Sequence, residues 1–259
     1  MAALTADTSI TQNVGSEVDR EIASATNIYA GSMVGLNSSG YARGFTLGDV
    51  FCGHTAEGMD NTDGSNGTKR VACLNGRYRL KVALSGVAKA DELKQSAVYA
   101  QDSGTLSLAS GQMVGKVIQY VSSGYALVEF DTAPTQQVYA ESIAFGDFTD
   151  NGNTTGYIDL SVALPEGAVV QAVQIEVTTG FTGDTTAVAD VGVAGTLEAF
   201  ASDLNVLAAD VVGEIPAVAT AYCAAASTPR VTVTGAADFG AISAGVAIVR
   251  LAYTNTLRP

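Results

Sequence analysis

His54 is the single histidine of the chain, and it stands two residues from Cys52 in the stretch VFCGHTAEG. A thiol beside an imidazole is the pairing that activates a cysteine nucleophile, because the imidazole takes the thiol proton. The pairing needs the two side chains to meet in space, and adjacency in sequence does not supply that. Nothing else in the chain resembles the surroundings of a cysteine nucleophile. His54 therefore reads as a strand-end histidine, and no catalytic residue is assigned.

Two Asp/Asn/Gly clusters, DNTDGSNGT (60–68) and GDFTDNGN (146–153), invite a calcium reading. A calcium loop places oxygen ligands at alternate positions, a glycine at the sixth and a glutamate at the twelfth. Asp60, Asp63 and Asn66 fall three apart, with no such glutamate, so both clusters read as turns and no metal is expected. GVAGTLEAF lacks the lysine and spacing of a phosphate loop. With no Trp, the chain has little with which to stack a sugar. No cofactor is expected.

The densest cationic stretch is KRVACLNGRYRLK (69–81). NGRYRLKV alternates polar and apolar residues, so Arg77, Arg79 and Lys81 share one face of a strand. That face has two readings, a contact for an acidic partner and a solvated strand surface.

The rest of the chain is built to hold such strands. Of 259 residues, 47% are hydrophobic and 15% charged, a core-forming balance. Short apolar runs separated by SSG, NG, DSG and PEG predict an all-β protein. Residues 1–16 have too little apolar surface to fold alone and read as an extended arm, with Leu4, Thr5, Ile10, Thr11 and Val14 available to a partner. Residues 17–132 form a first β domain, 133–137 a linker around Pro134, and 138–259 a second β domain of sandwich or jelly-roll type. ADELKQ (90–95) is the one helical turn expected in the first half, and 197–213 is left as short helix or irregular loop. Cys52, Cys73 and Cys223 read as buried free thiols.

The net charge of −13 is uneven. Residues 1–132 hold 10 Lys/Arg against 13 Asp/Glu, whereas 137–259 hold 3 against 13. Such an acidic half repels phosphate backbones and anionic lipid, so neither nucleic acid nor membrane is an expected partner. The N-terminus has no basic-then-apolar pattern of a secretory signal, which fits synthesis in a host cytoplasm.

MVG followed by SSGYA occurs twice, from Met33 and from Met113, with strands of different length between the shared words. This reads as two unequal hairpins, not a repeated active site.

GSMVGLNSSGYARGFTLGDVFCGHTAEGM, RVACLNGRYRLKV and SAVYAQDSGTLSLASGQMVGKVIQYVSSGYALVEF, in that order, resemble the head-decoration (capsid cement) proteins of tailed bacteriophages over about residues 10–131. IDLSVALPEGAVVQAVQIEVTTGFTGDTTAVADVGVAG resembles β-sandwich domains of phage virion proteins. The resemblance implies a β-barrel or β-tulip-like first domain and a non-enzymatic virion protein on the outer surface of the capsid. It implies a homotrimer that bridges major capsid protein subunits against internal DNA pressure, with the second domain outward. On that reading the capsid-contact residues are Leu4, Thr5, Ile10, Thr11, Val14, Arg77, Arg79 and Lys81. The competing reading is a head-fibre adhesin that takes a host-surface glycan through the second domain, with Tyr157, Phe181, Phe200 and Tyr222 as its aromatic candidates.

Overall fold

A computed structural model describes residues 12–13, 16–132 and 136–255. The chain divides into two compact units, Met1–Pro134 and Thr135–Pro259. Both are built almost wholly of antiparallel strands.

The first unit runs β1 (Gln12–Asn13), β2 (Ser16–Glu21), β3 (Thr26–Ile28), β4 (Met33–Leu36), β5 (Ala42–Gly44), β6 (Val50–His54), β7 (Met59–Asn61), β8 (Arg70–Asn75) and β9 (Arg77–Ala83). After the helix α1 (Lys89–Lys94) come β10 (Ala97–Ala100), β11 (Leu106–Ser107), β12 (Gly111–Ser122) and β13 (Tyr125–Asp131). The strands do not close into a barrel, which corrects the barrel-like expectation. β1, β9, β13 and β12 pair in that order, β10 joins at β12 and carries β11, and β2–β8, β3–β7 and β5–β4–β6 form separate small sheets. The cause is local. Several strands are only three residues long, and ladder shifts at Val98/Tyr99 and Val117/Gln119 bend the pairing before it can run round.

Two apolar clusters fill this unit. One gathers Phe45, Phe51, Leu74, Tyr78, Leu80, Val117, Val128 and Phe130; the other gathers Ile22, Ile28, Val34, Ala42, Cys52, Val71 and Cys73. The two SSG hairpins turn through Gly40 and Gly124 at φ of 80° and 79°, left-handed conformations that explain the glycine in both copies. Helix α1 falls where ADELKQ suggests, started by Asp91, whose carboxylate accepts from the Ala88 N–H at 2.8 Å.

The second unit runs β14 (Gln137–Ala144), β15 (Thr149–Asp150), β16 (Thr155–Asp159), β17 (Ala168–Thr179), β18 (Ala187–Val193), β19 (Thr196–Asn205), β20 (Val211–Glu214), the short helix α2 (Val218–Ala221), β21 (Pro229–Gly235) and β22 (Val246–Asn255). One sheet orders β14–β22–β17–β20 and the other β15–β16–β21–β18–β19. Val173, Ile175 and Val177 of β17 are buried, as are Val231 and Val233 of β21 and Val249 and Leu251 of β22. Residues 197–213 are neither helix nor plain loop. They hold most of β19 and the start of β20. The strand hides in sequence because its ladder to β18 shifts twice and Asp203 adopts φ 54°, so three consecutive residues, Ala199 to Ala201, are buried.

Candidate functional site

β9 carries the cationic row. Tyr78 and Leu80 point into the core, while Arg77, Arg79 and Lys81 are exposed, as period-two alternation requires. Its neighbour β13 repeats the pattern, with Ala126, Val128 and Phe130 buried between the outward residues Tyr125, Leu127, Glu129 and Asp131. The register sets Arg77 opposite Asp131 and Arg79 opposite Glu129. The resulting ion pairs measure 3.0 and 2.9 Å. Lys116 of β12 approaches Glu129 at 4.0 Å, and the Lys81 ammonium lies 5.4 Å from the centre of the Tyr125 ring. The Asp131 carboxylate, accepting from Arg77, raises the pKa of that guanidinium further. Arg77 nonetheless keeps 76% of its side chain in solvent. Exposed pairs of this kind contribute little to stability.

The N-terminal strand arrives at the same place. β1 pairs with β9 through Gln12 opposite Leu80 and Asn13 opposite Arg79. Leu4, Thr5, Ile10, Thr11 and Val14 lie outside the described residues. Gln12 and Asn13 thus lie beside the strand that carries the cationic row. Sequence reasoning missed the carboxylates that line the row. The signal was present, because R-Y-R at 77–79 and E-F-D at 129–131 share one spacing and charge opposite in sign.

The cysteine–histidine pairing does not form. Gly53 lies in a ladder irregularity opposite Val34, and the shift sends Phe51 and His54 into one cluster and Cys52 into the other. His54 Nδ1 lies 3.0 Å from the Tyr78 hydroxyl, and its ring packs against Phe130 with centroids 4.6 Å apart. Burial pushes the imidazole down to about 3 and the Cys73 thiol up to about 12. Cys52, Cys73 and Cys223 are buried, and none of them forms a disulfide.

The low value for His54 fixes a pH dependence. The unfolded chain takes up the proton near 6.5 while the folded chain refuses it, so stability is full above pH 6.5 and falls as pH drops toward 3. The loss should reach roughly 2 kcal/mol at about pH 5, before most carboxylates titrate. Denaturant titrations between pH 7 and 5 measure it. His54→Gln should flatten that segment of the curve, and an unchanged slope in the variant would assign the effect elsewhere.

Both calcium-like clusters are turns. Asp60 accepts from the Thr62 N–H and hydroxyl, which hold its carboxyl below the usual range. Asn61 donates to the carbonyls of Ala23 and Ser65, and Asp150 accepts from the Gly152 N–H. Among the described residues no group of three or more His, Cys, Asp or Glu is placed to hold a metal ion. Of the aromatic residues considered for sugar stacking, Phe181 and Phe200 are buried, Tyr157 is covered by Arg230 at 3.9 Å, and Tyr222 is half exposed.

No protein-family model matches the chain, and no curated protein matches it. Among solved structures the chain is similar to the cyanophage Pam1 capsid asymmetric unit, with 20% identity over 47% of this chain and 90% of that one, at a TM-score of 0.37. It is also similar to the major capsid protein P2 from bacteriophage PM2, with 11% identity over 96% of this chain and 95% of that one, at 0.29. A third similarity is to infectious bursal disease virus Gx strain, with 10% identity over 99% of this chain and 76% of that one, at 0.28.

Proposed function

We propose that the chain is a non-catalytic structural protein of a tailed-phage virion. It binds the outside of the head as a homotrimer, bridges major capsid subunits, and leaves its acidic second unit to solvent. The observation that carries the reading is the convergence of β1 on β9, which joins an N-terminal segment to an exposed cationic strand. An extended segment leading from a sheet edge can add a strand to a neighbour through main-chain hydrogen bonds, and the cations orient that contact on an acidic surface. Several copies of one weak contact then act together through avidity.

Heads of the phage that carries this chain, stripped of it, provide the test by co-sedimentation. Deleting residues 2–11 and, separately, R77E/R79E/K81E should each weaken binding at least about tenfold while the protein stays folded by circular dichroism. Full binding by both variants would overturn the proposal.

A further inference from the structure

The chain holds three Asn–Gly pairs, Asn66–Gly67, Asn75–Gly76 and Asn151–Gly152. In such a pair the backbone nitrogen of the glycine can attack the side-chain carbonyl carbon of the asparagine, because glycine has no Cβ to block the approach. The attack needs two groups released. The glycine N–H must leave its hydrogen bond, and the asparagine amide must turn toward it. How readily each pair reaches that state depends on what holds those two groups. Two of the pairs are held from far along the chain. Asn66 Oδ1 accepts from the Ser24 N–H at 2.7 Å, and the Gly67 N–H donates to the Ile22 carbonyl at 2.9 Å. Asn75 Oδ1 accepts from the Thr132 hydroxyl at 2.8 Å, and the Gly76 N–H donates to that hydroxyl oxygen at 2.8 Å. Freeing the first pair parts the loop after β7 from the end of β2, and freeing the second parts the β8–β9 turn from the end of β13.

The third pair is held only by its own turn. The Gly152 N–H donates to the Asp150 carboxylate at 2.6 Å, and Asn151 Nδ2 donates to the Thr155 hydroxyl at 3.0 Å. The turn joins β15, a strand of two residues at the end of its sheet, to β16. Residues 149–154 are all exposed, and nothing lies within 4 Å of a Cβ placed on Gly152. The bonds that tie this turn to distant residues, from the Phe239 N–H to the Asn153 carbonyl and from the Gly235 N–H to the Thr154 carbonyl, lie beyond the pair. Releasing Asn151 and Gly152 therefore belongs to the low end of the free energies at which a folded protein opens.

We infer that Asn151 is a site of spontaneous deamidation in the folded protein, and that the fold protects Asn66 and Asn75 from the same reaction. The Gly152 nitrogen bonds to Asn151 Cγ, the Cγ–Nδ2 bond breaks, and ammonia leaves with the proton that Gly152 gave up. Water then opens the cyclic imide at one or the other of its carbonyls, giving aspartate or isoaspartate. The reaction consumes water, releases ammonia and needs no oxidant, reductant or enzyme. Each event adds a carboxylate to a half of the chain that already holds 13 Asp/Glu against 3 Lys/Arg. The isoaspartate product also lengthens the backbone of the β15–β16 turn by one methylene. The chemistry needs no partner and does not depend on the capsid reading.

The full chain, kept folded at mildly alkaline pH and physiological temperature and sampled over weeks, provides the test. Peptide mass spectrometry after chymotrypsin cleavage reads each Asn–Gly pair separately. Conversion at Asn151 should run at least about tenfold ahead of conversion at Asn66 and Asn75. In denaturant, where the hydrogen bonds are gone, the three rates should come together. On ion exchange the folded wild type should pass into a more acidic form that elutes with Asn151→Asp. Asn151→Gln, whose longer side chain closes the ring far more slowly, should keep its starting position. Equal rates at the three pairs in the folded protein, faster conversion at Asn66 or Asn75, or no conversion at Asn151 while the denatured chain converts, would overturn the inference.

Discussion

Phe130→Ala should cost the first unit roughly 3–5 kcal/mol, the loss typical of a fully buried aromatic replaced by a methyl group. Phe130 has no exposed surface and touches three rings: it stacks on Tyr78 with centroids 5.5 Å apart and meets His54 and Phe51 at 4.6 and 6.3 Å. The neighbours hang from different strands, β6 and β9, so collapse into the cavity would have to move both. A second readout follows from the same contact. Removing the ring admits water or polarisable space beside His54, so the imidazole value should climb from about 3 toward 6.5. The chain has one histidine, so its proton NMR titration is unambiguous. A variant that loses stability while the titration stays put would show that the cavity closes over.

Gly53→Ala should be comparably damaging, at about 4 kcal/mol, for a different reason. Gly53 adopts φ 115°, and a Cβ built there would stand 1.8 Å from the Leu74 carbonyl oxygen, a backbone atom that cannot swing aside. Gly76 is the control. It has φ 78° and nothing within 4 Å of an added Cβ, so Gly76→Ala carries the left-handed backbone cost alone, about 1–2 kcal/mol. Thermal or denaturant unfolding of both variants separates steric overlap from backbone strain. Equal losses would mean that β8 yields to the new methyl.

How much of this was legible in the sequence depends on which periodicity survived. β9 was readable because RYRLKV keeps strict alternation, so the outward row of Arg77, Arg79 and Lys81 followed directly. The unequal SSG hairpins were readable because a left-handed turn demands its glycine. β19 was not, because its irregular ladder and the φ of Asp203 erase the alternation that a reader counts. The failure of the first unit to close was also hidden, since closure depends on how ladders of short strands accumulate bend, which no single segment records. For the candidate surface, the cations were visible locally. Their carboxylate partners and the junction with β1 lie about 50 and 67 residues away along the chain and appear only through register.

The irregularity at Gly53 reaches beyond local geometry. By turning Phe51 and His54 one way and Cys52 the other, it makes β6 a common member of both apolar clusters of the first unit. Neither cluster can come apart while the other keeps its share of that strand. The unit then has no weak seam along which to open in part, and it behaves as one foldon. Amide hydrogen exchange in the two clusters should then report one shared opening free energy.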